Sequence, residues 1–172
     1  MTRYEIDIAL RDMKIIADTR EQDTPAFRKR FAGSGLTIVR NKLDFGDYTA
    51  VTEIDGKVYS LENVAVVERK MSLDELAMCF GKERARFQRE FERSSAAGAR
   101  VYLLVENATW ENLLAGRYRS KLKPESFFAS LLAWTARYNI VPVFCKADIS
   151  GKVIAGILRY ELRERLAKLI DE

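Results

Sequence analysis

The sequence contains no histidine. That absence excludes histidine general bases, histidine–metal nuclease centres and Cys/His zinc sites together. Cysteine is almost as scarce. Cys79 and Cys145 stand far apart, which suits a reducing compartment in which both pack as small apolar side chains. No apolar run approaches the roughly 20 residues that a membrane-spanning helix needs, and no secretory leader is recognisable. The phosphate loop G-x-x-x-x-G-K-S/T and the dinucleotide pattern G-x-G-x-x-G are both missing, which argues against an ATPase or a dehydrogenase. Internal repeats, low-complexity tracts and long linkers are missing too. Any hydrolysis by this chain must rest on carboxylates, amines and a metal ion.

What is present fits one globular domain spanning residues 1–172. Twenty-nine basic against 25 acidic residues leave a net charge of +4. That balance is compatible with a nucleic-acid partner but equally with ordinary charge variation. Strand patterns at 13–18, 36–39, 48–54, 57–61, 64–70, 100–105 and 141–145 alternate with helix patterns at 25–32, 72–80, 83–97, 124–138 and 150–170, and Thr109 caps a short helix containing Trp110 and Leu113. The alternation predicts an α/β fold, a central mixed sheet flanked by helices. Asp55-Gly56 marks a two-residue hairpin. Residues 1–12 carry no readable motif.

The most informative stretch is Asn63–Asp74, N-V-A-V-V-E-R-K-M-S-L-D. Its apolar opening suits a strand covered on both faces. The strand then runs straight into Glu68, Arg69 and Lys70. Buried charge is costly unless it is paired or lines a site. Alternate strand residues share a face about 6.6 Å apart, so Glu68 and Lys70 point one way and Arg69 the other. Upstream, Gly46-Asp47 leads into the 48–54 strand. If that strand pairs with the Glu68 strand, Asp47, Glu68 and Lys70 converge on one pocket. Two carboxylates and a lysine suit magnesium, a hard cation that takes oxygen ligands. The cation would activate a phosphodiester, and Lys70 would orient water or stabilise developing charge. The hairpin between Asp47 and Glu68 leaves the pairing of their strands open.

Other residues carry two readings each. Asp74 follows Ser72 in a capping-box pattern with Glu75 and either supports the helix start or orients Lys70 or Arg69. Arg84, Arg86, Arg89 and Arg93 form either a solvated helix face or a phosphate-tracking one. The loop 116–123, with Arg117, Arg119 and Lys121, is either an ordinary surface loop or a DNA-backbone contact.

Gly46-Asp47, Glu68-Arg69-Lys70 and Asp74 together match G-D-x(n)-E-R-K-x-x-x-D. The chain thereby resembles the XPF-type structure-specific endonucleases. I-I-A-D-T-R-E at 15–21 is similar to the family's opening strand and acidic turn, and R-A-R-F-Q-R-E at 84–90 to its arginine–glutamine helix. The resemblance implies a restriction-endonuclease-like fold and a magnesium- or manganese-dependent DNA endonuclease acting on branched or flapped DNA in repair or recombination. It implies metal ligation by Asp47, Glu68 and Asp18, with Lys70, Arg69, Glu21 and Asp74 completing the site. It places Arg20, Arg84, Gln88, Arg117, Arg119 and Lys121 on DNA. It also implies a homodimer through the last two helices and an intracellular, cytoplasmic or nucleoid, location. The family's tandem helix-hairpin-helix module and helicase domain have no counterpart within residues 1–172, so a separate partner is expected to supply part of the recognition. The alternative is a non-catalytic DNA-binding or dimerisation subunit of the same fold.

Overall fold

The structure is a computed structural model that describes residues 1–170. The chain runs α1 (Arg3–Arg11), β1 (Lys14–Asp18), α2 (Pro25–Phe31), β2 (Thr37–Asn41), β3 (Tyr48–Ile54), β4 (Lys57–Ser60), β5 (Ala65–Lys70), α3 (Leu73–Phe80) and α4 (Arg84–Ala96). It continues with β6 (Arg100–Glu106), α5 (Trp110–Leu114), α6 (Pro124–Tyr138), β7 (Ile140–Cys145), a 3-10 turn and α7 (Ser150–Ala167). The strands form one mixed sheet in the order β2-β1-β3-β5-β6-β7, with β4 paired to β3 off that path. This is the expected α/β architecture.

One element was not foreseen. Helix α1 occupies the stretch that carries no obvious motif. Its start is nonetheless written in Thr2-x-x-Glu5: the Thr2 N–H donates to Glu5 at 2.6 Å and the Thr2 hydroxyl accepts from the Glu5 N–H at 3.2 Å. That reciprocal pair is a capping box.

The open question of strand pairing resolves in an economical way. One edge of β3 pairs with β1, and its other edge is shared. The far half, Val51–Ile54, takes β4 through the Asp55-Gly56 hairpin. The near half takes β5, with Tyr48 opposite Val67. Beyond that pair the Asp47 N–H donates to the Val67 carbonyl at 2.8 Å. Gly46 makes the approach possible: at φ +75° a Cβ would sit 2.8 Å from the Val66 side chain.

Strand alternation sorts the core into two layers. Val66, Val101, Leu103 and Val105 face a layer of α3, α4 and α6, built on Phe80, Phe87, Phe91, Phe127 and Trp134. Val67 and Leu104 face α1, α2 and α7, with Phe31, Ile154, Leu158 and Leu162. In the second layer α7 starts against α2 so closely that a Cβ on Gly151 would stand 1.8 Å from the Arg30 carbonyl oxygen.

Most of the large apolar side chains on α6 pack within the chain itself. Phe127, Leu131 and Trp134 are buried. Phe128 packs edge-on to Trp110, which packs on Phe144. Leu132 stays exposed. Cys79 is buried, its thiol pushed up to about 11 by burial, as befits a packing residue. Among the described residues no helix is long and apolar enough to cross a membrane.

Candidate active site

The C-terminal end of β5 carries the site. Lys70 Nζ donates to Glu68 Oε1 at 2.6 Å on one face of the strand, and both side chains are nearly buried. Arg69 turns to the other face. Its main-chain N–H donates to Asp47 Oδ2 at 2.7 Å, which anchors the incoming carboxylate at the start of β3. Asp47, Glu68 and Lys70 thus line one cavity of about 260 Å³. Arg20, Arg86, Phe87, Arg89, Glu90 and Arg93 complete its wall.

The electrostatics follow from burial and crowding. Burial pushes the Asp47 carboxyl well above the usual carboxylate range, and the neighbouring Glu68 charge adds to it. Burial raises Glu68 as well, although Lys70 opposes the shift. For Lys70 burial acts to lower the pKa, but the Glu68 carboxylate outweighs it and the ammonium is held above its ordinary value. The Lys70 ammonium also sits 5.1 Å from the centre of the Phe87 ring. Glu68 Oε2 is buried and has no hydrogen-bond partner. A buried acceptor left open is rare enough to call for an explanation.

Several expected site residues stand elsewhere. Asp18 does not reach the cavity as a metal ligand: its Oδ1 accepts from the Arg20 N–H and side chain, both at 2.7 Å, and its Oδ2 from the Leu43 N–H at 2.7 Å. Despite the cost of burial, the hydrogen bond from Arg20 and those from the backbone hold its carboxyl below the usual range. Asp18 therefore aims Arg20, which does line the cavity. Glu21 and Arg69 lie across the sheet. There the Tyr48 hydroxyl donates to Glu21 at 2.5 Å, and Arg69 and Arg30 pair with Glu21 and Glu106 at 3.1–3.8 Å. That network backs β5 rather than contributing to the cavity. Glu106, at the end of β6, belongs to it.

Asp74 lies in the first turn of α3, where an acid supports the helix start, and makes no bond to Lys70 or Arg69. It accepts from the Arg119 N–H at 2.5 Å and pairs with the Arg119 side chain at 3.2 Å, tying the 116–123 loop to α3. Ser72 caps the helix, and Glu75 reaches back to the Met71 N–H. Arg84 lies over Trp134, 5.1 Å from its ring centre, and Gln88 donates to Glu92; neither lines the cavity. Arg117 bonds to Asn112, while Arg119 and Lys121 border a separate groove with Lys82 and Met78. Of the cavity residues, sequence reasoning did not assign Phe87 and Glu90, and it gave Arg86, Arg89 and Arg93 only as one of two readings of the helix face. Their signal was the helical spacing 86, 89–90, 93.

An oxygen-only donor set suits a hard divalent cation, and the open Glu68 oxygen fits that use. Among the described residues no three acidic or cysteine side chains are already grouped as a cation cage.

A comparison by sequence with curated proteins finds no match. Comparison with solved structures finds XPF from Aeropyrum pernix at 22% identity and a TM-score of 0.60, covering 86% of this chain and 60% of that one. XPF from Aeropyrum pernix in complex with DNA aligns at 21% identity and a TM-score of 0.62, covering 88% and 66%. The chain thus spans less than two thirds of the length of these proteins, and at such identities the likeness establishes a shared fold. The model of the ERCC4 domain matches residues 17–152. On that match, and with Asp47, Glu68 and Lys70 brought to one cavity, the chain belongs to the ERCC4 domain family of XPF-type nucleases.

Proposed function

We propose that the chain is a divalent-cation-dependent DNA endonuclease that hydrolyses phosphodiester bonds in branched or flapped DNA, in repair or recombination. One observation carries this reading. Two strand-end carboxylates and a lysine share a cavity whose rim bears four arginines, Arg20, Arg86, Arg89 and Arg93. Arginine matches phosphate oxygens with a planar, bidentate fork. The rim draws in a polyanion, and the floor is suited to a cation.

Asp47 and Glu68 would hold magnesium or manganese, which would supply electrophilic activation of the scissile phosphodiester. Lys70 keeps its ammonium in place through Glu68 and stabilises charge as it develops on the phosphate. Asp18 acts on the site through Arg20. The Arg69 N–H fixes the Asp47 carboxylate.

The finer proposals are pairing and location. Two copies would associate through what the last two helices leave exposed, Leu132 on α6 with Ile149 and Tyr160 at α7. A separate partner would add DNA recognition, and the protein would work in the cytoplasm or nucleoid. A non-catalytic subunit of the same fold is the second reading. The intact Asp47, Glu68 and Lys70 weigh against it.

The deciding experiment is cleavage of flap, fork and duplex DNA with magnesium, manganese or EDTA. Asp47→Asn should lower the rate by about 100-fold or more, at least what is lost on disturbing a metal site's surroundings. Full activity in that variant would sink the assignment, and no cleavage by the wild type with either metal would favour the non-catalytic reading.

A further inference from the structure

Glu90 lies on α4, far in sequence from both strand-end acids. It lines the cavity with Asp47, Glu68 and Lys70. Its Oε1 accepts the N–H of Gly46 at 3.2 Å, so the helix touches the turn that delivers Asp47. It forms no ion pair among the described residues, although Arg86, Arg89 and Arg93 share its helix and its cavity. An unpaired acid on the one helix that turns arginines toward a polyanion repels that polyanion. Some other positive group has to account for it. Arg20, on which the Glu90 charge also acts, does not, because its side chain is held by Asp18 at 2.7 Å. Lys70 does not, because its ammonium is engaged by Glu68 Oε1 at 2.6 Å. Across the same cavity Glu68 Oε2 is buried and without a partner.

We propose that Glu90 is the third carboxylate of the cation site. The proposal rests on the reading of this cavity as a cation site and deepens it. Helix α4 then both presents arginines to DNA and closes the site over its ion. With the ion bound, the Glu90 charge is neutralised and its repulsion of phosphate disappears, so cation and DNA each favour binding of the other.

The test uses the whole chain and manganese(II) alone, by titration calorimetry. Glu90→Gln keeps a carbonyl oxygen for the Gly46 N–H and removes only the charge. It should weaken manganese binding about 10-fold or more. Asp47→Asn should weaken it too, and Glu92→Gln, on the exposed side of α4, should not. If Asp47→Asn loses the ion while Glu90→Gln binds like the wild type, the Glu90 assignment falls and the cation site stands. If neither variant changes binding, the cation-site reading itself fails. A second measurement needs no variant. Iron(II) with hydrogen peroxide generates a radical that cuts backbone near the bound ion, ascorbate returning the iron to iron(II), and cuts should fall beside Asp47, Glu68 and Glu90. Cuts confined to the two strands would overturn the role of Glu90 even if Glu90→Gln does not fold.

Discussion

Asp47 is the residue whose chemistry opposes its own stability. Burial and the Glu68 charge raise its carboxyl pKa in the fold. The folded chain therefore binds a proton more tightly than the unfolded chain does. Stability of the cation-free protein then falls as pH rises from the ordinary carboxylate range through the raised value. At neutral pH the ionised side chain is a net cost. Asp47→Asn removes that charge and should stabilise the cation-free protein by about 1 kcal/mol, or roughly 2–4 °C in Tm for a chain of this size. Calorimetry in EDTA at neutral pH checks it. A lower Tm for Asp47→Asn would show that the carboxylate stabilises the fold, contrary to the crowding described. At this scale the alternation of Glu68, Arg69 and Lys70 was readable, because a strand's period of two leaves no choice. Asp18 was not readable. Its partners are Arg20 and the Leu43 N–H, and the latter reaches it only after the 41–47 segment folds back.

At the scale of the element, α4 separates arginines that resemble one another in sequence. Phe87 and Phe91 are buried, and Arg84 falls on the same stripe at the i, i+3, i+7 spacing. It accordingly packs on Trp134. Arg86, Arg89 and Arg93 lie on the next strip and line the cavity. The helical phase thus held the distinction, and the expectation that Arg84 meets DNA overlooked it. On duplex DNA the slope of log affinity against log salt should fall by about 0.9 for each phosphate that the protein no longer neutralises. Arg86→Glu with Arg89→Glu should flatten the slope by that order, and Arg84→Glu should leave it near the wild-type value. Equal slopes in all three proteins would make the α4 arginines a merely solvated face. The start of α1 was overlooked in the same way, although Thr2 and Glu5 encode it.

For the whole molecule, the α/β class and the place of nearly every strand followed from pattern, because apolar runs bounded by turns leave little else for a buried strand to be. Which face of α6 meets what did not follow, since Phe128 finds Trp110 and Phe144 only in the folded chain. The proposed homodimer consequently rests on a small exposed set. Light scattering at low micromolar concentration should give about twice the 19.7 kDa chain mass. A mass that stays monomeric as concentration rises would refute it.

The shared edge of β3 has a consequence for how the site comes into being. The cost of closing a loop grows with the length of free chain between its ends. All of β3 and β4 lies between Asp47 and Val67, which would make their meeting a long-range closure in an otherwise unstructured chain. The Asp55-Gly56 turn changes that. As the hairpin zips, each new rung shortens the slack, until the end of β4 delivers β5 to the same edge a few residues later. A short-range event thereby carries most of the entropy of a long-range one, and the two acids are brought together by the hairpin's own folding.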